Sequence, residues 1–124
     1  MTIIDSDVLI WILRGDEKMK EEFTKAVDVE NGLLFITPIQ IAEILAGVRE
    51  KEKANTSMFL DSFEVLDIDS RIGKIAGNTM NKYQKSHKVM MADALIYACV
   101  IQNNGRLWTK NKKHYPMLKA KDFK

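Results

Sequence analysis

Four acidic residues lie in segments that are otherwise apolar, and their positions raise the question of what they contact. Asp5 and Asp7 interrupt an apolar run in "TIIDSDVLIWILRG" at the start of the chain. Glu43 lies in "TPIQIAEILAGVRE" and Asp93 in "KVMMADALIYACVIQNNG". Carboxylates are rarely buried, because removing their charge from water is costly unless a partner is supplied. Such acids are candidates for a site that binds a cation.

The spacing of these acids predicts that three of them share one crevice. Asp5 stands where a first strand ends, and Asp7 stands where the next helix begins. Glu43 lies on the polar stripe of a helix, and Asp93 lies in a first turn, on the face expected to pack against the sheet. If Asp5, Glu43 and Asp93 meet, their repulsion is severe unless a divalent cation with oxygen ligands neutralises them. The acids therefore predict a site for a divalent metal ion.

The elements that must position these acids are strands that alternate with helices. Strand patterns are "TIID", "LLFI", "FEVLDI" and "RLWT". Helix patterns are "VLIWIL", "EKMKEEFTKAVDV", "TPIQIAEILAGVREKEKA", a segment capped by Asp69, and "MADALIYACVIQNNG". Thr37, Pro38 and Gln40 form the helix-start signal of a capping box. This order predicts an α/β fold with a mainly parallel, twisted sheet flanked by helices, which binds ligands beyond the carboxyl ends of its strands.

Length and composition predict a single domain over residues 1–124, since 124 residues with 46% hydrophobic content can bury one core. The apolar run Val8 to Leu13 is far shorter than the roughly 20 residues of a membrane span, and no secretory signal is apparent. We therefore expect a soluble, cytoplasmic protein without membrane association. Cys99 is the only cysteine, which excludes an internal disulfide and favours a small core residue. A net charge of +2 permits a nucleic-acid partner without requiring one.

Polar and basic residues follow the last predicted strand, in "WTKNKKHY". Such a cluster can neutralise phosphates, and the interleaved Trp108 and Tyr115 can stack on unpaired bases. An ordinary solvated surface is the alternative interpretation. We predict RNA contact here because the run adjoins the strand end that should carry Thr109 and Asn111. The predicted substrate-binding residues are Thr109, Lys110, Asn111, Lys113 and His114.

The four segments quoted above resemble, in this order, the PIN domains, and in particular the VapC toxins of prokaryotic VapBC toxin–antitoxin pairs. The resemblance implies a parallel sheet between helices, an endoribonuclease that depends on Mg²⁺ or Mn²⁺, a homodimer, and inhibition by a VapB-like antitoxin. It also implies that Asp5, Glu43 and Asp93 are the catalytic and metal-binding acids. Thr109 and Asn111 match the polar pair after the last strand. His114 stands where many members have a fourth acid.

Two alternatives remain at the level of sequence. "IIDSDVL" also resembles the haloacid-dehalogenase phosphatases, with Asp5 as nucleophile, Asp7 as acid and base, and Thr37 as a phosphate contact. That interpretation accounts for Asp7 but not for Glu43, and the chain is short for such a fold. The second alternative is a non-catalytic PIN-like module that binds RNA or protein, because His114 replaces an acid. Each acid taken singly is also typical of a helix cap or a solvated helix face.

Overall fold

The centre of the fold is a four-stranded parallel sheet, which a computed structural model describes together with the rest of residues 1–124. The strands are β1 (Thr2–Ile4), β2 (Leu34–Ile36), β3 (Glu64–Val65) and β4 (Arg106–Trp108). Their order in the sheet is β3-β2-β1-β4, and every neighbouring pair is parallel. The chain leaves β1 toward β2 on one side, whereas β4 lies on the other side. The carboxyl ends of β1 and β4 therefore flank the position where such sheets bind ligands.

Helices cover both faces of this sheet, as predicted. Ile4 and Trp108 pack into a core with the helices of the first half of the chain, whereas Ile3 and Leu107 pack into a second core on the opposite face. Successive strand residues point to opposite faces, so the neighbouring residues of β1 and β4 that enter the two cores are all apolar. The helices are α1 (Ser6–Leu13), α2 (Glu17–Val29), α3 (Pro38–Gly47), α4 (Lys53–Asp61), α5 (Ser70–Tyr83) and α6 (Met91–Gln102), with short 3₁₀ helices at Glu50–Glu52, Lys112–His114 and Ala120–Asp122.

Local helix-start signals are confirmed where they were predicted. The Thr37 side chain accepts from the Ile39 N–H, and the Gln40 side chain accepts from the Thr37 N–H, which together form the capping box of α3. The Asp69 carboxylate accepts from the Ile72 N–H at 3.0 Å and caps α5. These contacts join neighbours in sequence, so a short pattern is enough to predict them.

Two boundaries differ from the prediction. The helix predicted over residues 37–54 ends at Gly47, because Val48 adopts an extended conformation, and a separate helix α4 begins at Lys53. The segment between them is charged and exposed, so it has no apolar side chains to bury against the core. The strand predicted in "FEVLDI" covers only Glu64–Val65, at the edge of the sheet, where both residues are exposed.

Cys99 is fully buried in the core between α5 and α6, as predicted. Burial raises the pKa of its thiol to about 11, because the thiolate form would lose its hydration. An inert core side chain is the result. No helix in this fold combines the length and the apolar character that crossing a membrane requires.

Gln40 fixes α3 to the end of β1. Its side chain is fully buried, and its Nε2 donates to the Ile4 carbonyl at 3.0 Å while its Oε1 accepts from Thr37. The capping role of Gln40 was predicted, but its contact with the Ile4 carbonyl was not, because that contact joins residues 36 positions apart. Glu43, one turn later, is thereby held next to the residues that follow β1.

Gln40→Met should lower the free energy of unfolding by about 2 kcal/mol, because it keeps the side-chain volume but leaves buried backbone groups without partners. Denaturant unfolding monitored by circular dichroism measures this loss. Gln102→Met is the matched control, since Gln102 is exposed at the end of α6. Similar stability of the two variants would contradict the role assigned to Gln40.

Candidate active site

Asp5 is a nearly buried carboxylate at the junction of β1 and α1, with 8% of its surface exposed. Its Oδ1 accepts from the Ser6 N–H at 2.8 Å, which makes Asp5 the N-cap of α1. Its Oδ2 accepts from the hydroxyls of Thr109 and Tyr115, each at 2.9 Å. Every donor is a neutral group, so Asp5 is hydrogen-bonded although no cation pairs with it.

Tyr115 connects Asp5 to Asp93. Its hydroxyl also lies 3.3 Å from Asp93 Oδ1, and the whole side chain is 1% exposed. Burial, followed by the two neighbouring carboxylates, raises the pKa of Tyr115, so the phenol keeps its proton. One hydroxyl proton cannot serve two carboxylates at full strength. Burial and the charge of Asp5 raise the pKa of Asp93, which favours its protonation beside the shared hydroxyl.

Glu43 joins this group from the other side of Asp5. The Ser6 hydroxyl donates to Glu43 Oε1 at 2.7 Å, and Ser6 directly follows Asp5. The charge of Glu43 also contributes to the raised pKa of Asp93, as the smallest of the named causes. The three predicted acids therefore lie near the carboxyl end of β1. No three His, Cys, Asp or Glu side chains, however, stand close enough together to hold a metal ion as they are.

Asp7 is the fourth acid, and residues after β4 hold it in place. Its Oδ2 accepts from the Lys110 N–H at 2.9 Å and from Asn111 Nδ2 at 3.0 Å. Burial and the charge of Asp5 raise the pKa of Asp7, and the hydrogen bonds oppose this shift. Thr109 is buried and donates to Asp5, while its hydroxyl accepts from the Asn111 N–H. Thr109 and Asn111 thus bind the acids, and substrate contact by them stays a prediction.

The basic side chains after β4 point in different directions. Lys110 Nζ lies 5.6 Å from the ring centre of Trp11, on the side of Asp7. His114 Nδ1 lies 3.7 Å from Asp93 Oδ2, and Lys113 borders the same cavity as these two residues. Lys110 therefore lies on the side of Asp7, and Lys113 lies near Asp93.

The predicted stacking surface of Trp108 and Tyr115 is wrong. Trp108 is 6% exposed in the core and Tyr115 is 1% exposed, so neither ring can receive a base. Both rings point into the interior of the fold, Trp108 from the end of β4 and Tyr115 from the segment that follows this strand. Trp11 is the exposed aromatic side chain near the site, with Arg14 and Lys110 against its ring.

Comparison with known proteins places this geometry in a family. The PIN domain matches residues 2–119, which is nearly the whole chain. This chain belongs to the PIN domain family. The match confirms the predicted family and excludes the phosphatase alternative. Thr37, the phosphate contact of that alternative, is fully buried within its capping box.

Curated relatives of this PIN domain carry ribonuclease names. It is 34% identical over 118 residues to Ribonuclease VapC10 of Mycobacterium tuberculosis, covering 94% of this chain and 87% of the relative. It is 32% identical over 120 residues to Ribonuclease VapC1 of Methanocaldococcus jannaschii, covering 94% of this chain and 80% of that relative.

Solved structures confirm the predicted fold. A toxin–antitoxin complex from Klebsiella pneumoniae contains a chain with a TM-score of 0.78 at 21% identity, covering 94% of this PIN domain and 91% of that chain. VapBC2 from Rickettsia felis, bound to a DNA fragment from their promoter, gives a TM-score of 0.75 at 22% identity, with 94% of each chain covered.

Sequence reasoning missed the residues that hold the acids in place. Ser6, Gln40 and Tyr115 make contacts over 37, 36 and 110 residues of sequence, respectively. No local pattern reports such contacts. Tyr115 itself gave no signal, because its neighbours Lys112, Lys113 and His114 are charged or polar and exposed.

Tyr115→Phe should destabilise the metal-free PIN domain by about 2 kcal/mol, because hydrogen bonds to charged groups contribute that much. The melting temperature should fall by roughly 8 °C in chelator, given about 4 °C per kcal/mol for a domain of this size. Tyr97→Phe is the matched control, as Tyr97 is half-buried in the same core but contacts neither acid. An equal effect of both substitutions would contradict the bridging role.

Asp93→Asn should stabilise the metal-free protein above acidic pH. The folded-state pKa of Asp93 is raised, so the native state binds more protons than the unfolded chain above about pH 4, where free aspartate titrates. The stability associated with this proton is lost as pH rises through the raised pKa, and asparagine removes the loss. We expect an advantage of about 1 kcal/mol at pH 7 that vanishes near pH 4.

Urea unfolding in chelator across this pH range measures the difference between Asp93→Asn and wild type. Asp61→Asn serves as the control, because Asp61 is exposed at the end of α4. A difference that is constant with pH, or that favours wild type at pH 7, would contradict the electrostatic origin.

Proposed function

We propose that this PIN domain is a Mg²⁺- or Mn²⁺-dependent endoribonuclease and the toxin of a type II toxin–antitoxin pair. The observation that carries the proposal is the grouping of carboxylates at the switch point of the sheet, where Asp5 and Asp93 share the hydroxyl of Tyr115. The ribonuclease names of the curated relatives support the same activity.

The donor set fits a hard divalent cation. Asp5, Glu43 and Asp93 offer only carboxylate oxygens, which are the ligands that Mg²⁺ and Mn²⁺ prefer. The raised pKa of Asp93, caused by burial and by the charge of Asp5, reports negative charge that no side chain fully neutralises. We therefore assign Asp5, Glu43 and Asp93 as metal ligands. A bound cation of this kind activates water and stabilises charge on a phosphodiester.

The remaining residues orient these acids and bind RNA in this proposal. Thr109 and Tyr115 hold Asp5, and Asn111 holds Asp7, so the carboxylates do not have to be ordered when substrate arrives. Lys110 and Lys113 on either side provide positive charge for the RNA backbone. His114, half-exposed beside Asp93, contacts a phosphate in the place of a fourth acid.

The proposed partners are an RNA substrate and a VapB-like antitoxin. The structural neighbours include VapBC complexes, which supports an antitoxin of that type. The homodimer expected from the family resemblance is part of the proposal, as is one domain over the whole chain. Cytoplasmic location belongs to it as well, because cellular RNA is there.

A non-catalytic PIN module is the second candidate. Two observations favour it, namely the absence of a preformed set of three metal-binding side chains and the presence of His114 where an acid is expected. The two candidates differ in turnover, since only the enzyme cleaves RNA when Mn²⁺ or Mg²⁺ is added.

Asp5→Asn should reduce metal-dependent RNA cleavage by about 100-fold or more, because it removes a charged ligand at the centre of the site. His114→Ala should keep cleavage within about tenfold of wild type, since a single phosphate contact contributes less. Gel assays with a labelled single-stranded RNA measure both rates, with chelator as the blank and circular dichroism to verify folding. Complete loss in both variants would show that His114 is essential, and no cleavage by wild type would favour the binding module.

Mn²⁺ should raise the melting temperature of the wild type, because the ion binds the folded site and has little affinity for the unfolded chain. At 100 times the dissociation constant the gain is about 2.7 kcal/mol, or roughly 10 °C here. Asp93→Asn should gain much less at the same concentration. Thermal melts with chelator and with Mn²⁺ decide this, and a wild type that is indifferent to the ion would contradict the metal site.

A further inference from the structure

We propose that a basic cavity next to Asp93 binds a backbone phosphate of the RNA strand, beyond the phosphate that is cleaved. The cavity has a volume of about 260 Å³, and its polar lining includes His87, Lys88, Lys113 and His114. We call it the basic cavity. The inference rests on the proposed function, because it extends that site with a position for a neighbouring nucleotide.

Two separate segments bring these side chains together. His87 and Lys88 belong to the connection between α5 and α6, whereas Lys113 and His114 lie in the 3₁₀ helix after β4. The two segments are 25 residues or more apart in sequence and meet through the packing of α6 against the sheet. No local sequence pattern predicts that His87 and Lys113 border one cavity, because their proximity depends on this packing.

The charges in the basic cavity favour an anion. Neither Lys88 nor Lys113 has a carboxylate within 4.0 Å, so both ammonium groups are free to bind a ligand. Asp93 is the acid in the lining, and its partner there is His114 at 3.7 Å. The lining therefore carries two lysines against the single carboxylate of Asp93, which favours binding of a phosphodiester.

Two local features shape the segment that carries His87 and Lys88. The His87 N–H donates to the Tyr83 carbonyl at 3.0 Å, and the His87 Nδ1 is 2.8 Å from the Ser86 hydroxyl. This leaves Nε2 of His87 for a ligand. Lys88 adopts a φ of 46°, in the left-handed region that costs free energy for a residue other than glycine. The positive φ at Lys88 therefore gives the connection between α5 and α6 a turn that an extended linker would lack.

Size decides which part of the RNA enters. The basic cavity, at about 260 Å³, lies below the roughly 300 Å³ at which pockets for drug-sized ligands begin, so it fits a phosphate group better than a whole nucleotide. It admits a phosphate and the edge of a sugar. Lys110 and Trp11 lie on the opposite side of the acids, beside Asp7, so an RNA strand can cross the acids between two positively charged positions. Recognition in the basic cavity should be independent of base identity.

Binding of a fluorescent single-stranded RNA of about 12 nucleotides, measured by anisotropy in chelator at several salt concentrations, tests the basic cavity. Lys88→Asn removes the charge, and asparagine tolerates the left-handed conformation of this position. Loss of one phosphate contact should reduce the slope of log affinity against log salt by about 0.7, which corresponds to roughly fivefold weaker binding at 0.1 M salt. Lys113→Gln should have a similar effect.

Lys85→Asn is the matched control, because Lys85 is an exposed lysine three positions from Lys88 that does not line the cavity. Its RNA affinity and salt slope should equal those of the wild type, and changing every base of the RNA should leave the Lys88→Asn effect unchanged. Equal losses in Lys85→Asn and Lys88→Asn would overturn the basic cavity while RNA cleavage and the proposed function stand. If wild type binds no RNA and cleaves none, both proposals fail.

Discussion

The structure depends on how one buried negative charge, that of Asp5, is accommodated. Asp5 follows β1 and caps α1, and its carboxylate accepts hydrogen bonds from the hydroxyls of Thr109 and Tyr115. It therefore joins four parts of the chain. All its partners are neutral donors, which lower the cost of burial without cancelling the charge. The carboxyl end of β1 is thereby ordered and still carries a negative charge. A protein that only needed stability would be better served by an apolar residue at this position.

The same compromise extends to the neighbouring acids. Asp7 and Asp93 both have a raised pKa, from burial first and then from the charge of Asp5, so the folded state holds carboxylates that repel one another. Hydroxyl and amide groups fix where these side chains point, and the basic side chain within 4.0 Å of Asp93 is the half-exposed His114. Strain of this kind at an ordered site is typical of function, because the missing positive charge is what a metal ion provides.

The predictable part of the fold came from interactions between neighbours in sequence. The alternation of strands and helices, the Thr37 capping box and the Asp69 cap follow from short patterns, and α2 has the predicted bounds. The end of α3 at Gly47 was not predicted, because it depends on whether the charged residues that follow can pack against the core, and they are exposed. Asp5 and Asp93 could be named from their places at a strand end and in the first turn of a helix, and Glu43 from the polar stripe of its helix. Tyr115, which connects two of them, could not, since its partner Asp5 lies 110 residues away.

The distribution of charge, more than the net charge, favours binding of a polyanion such as RNA. A net charge of +2 does not by itself favour nucleic acid. The folded chain, however, places Lys110 on one side of the acids and the basic cavity on the other, so positive charge flanks a negative centre. An RNA strand would be attracted at both ends and repelled in the middle until a cation occupies the acids. RNA binding and metal binding would then be coupled, because the cation neutralises the acids that repel the RNA and the RNA phosphates add negative charge that favours the cation. A site built this way engages its substrate most strongly when the metal is present.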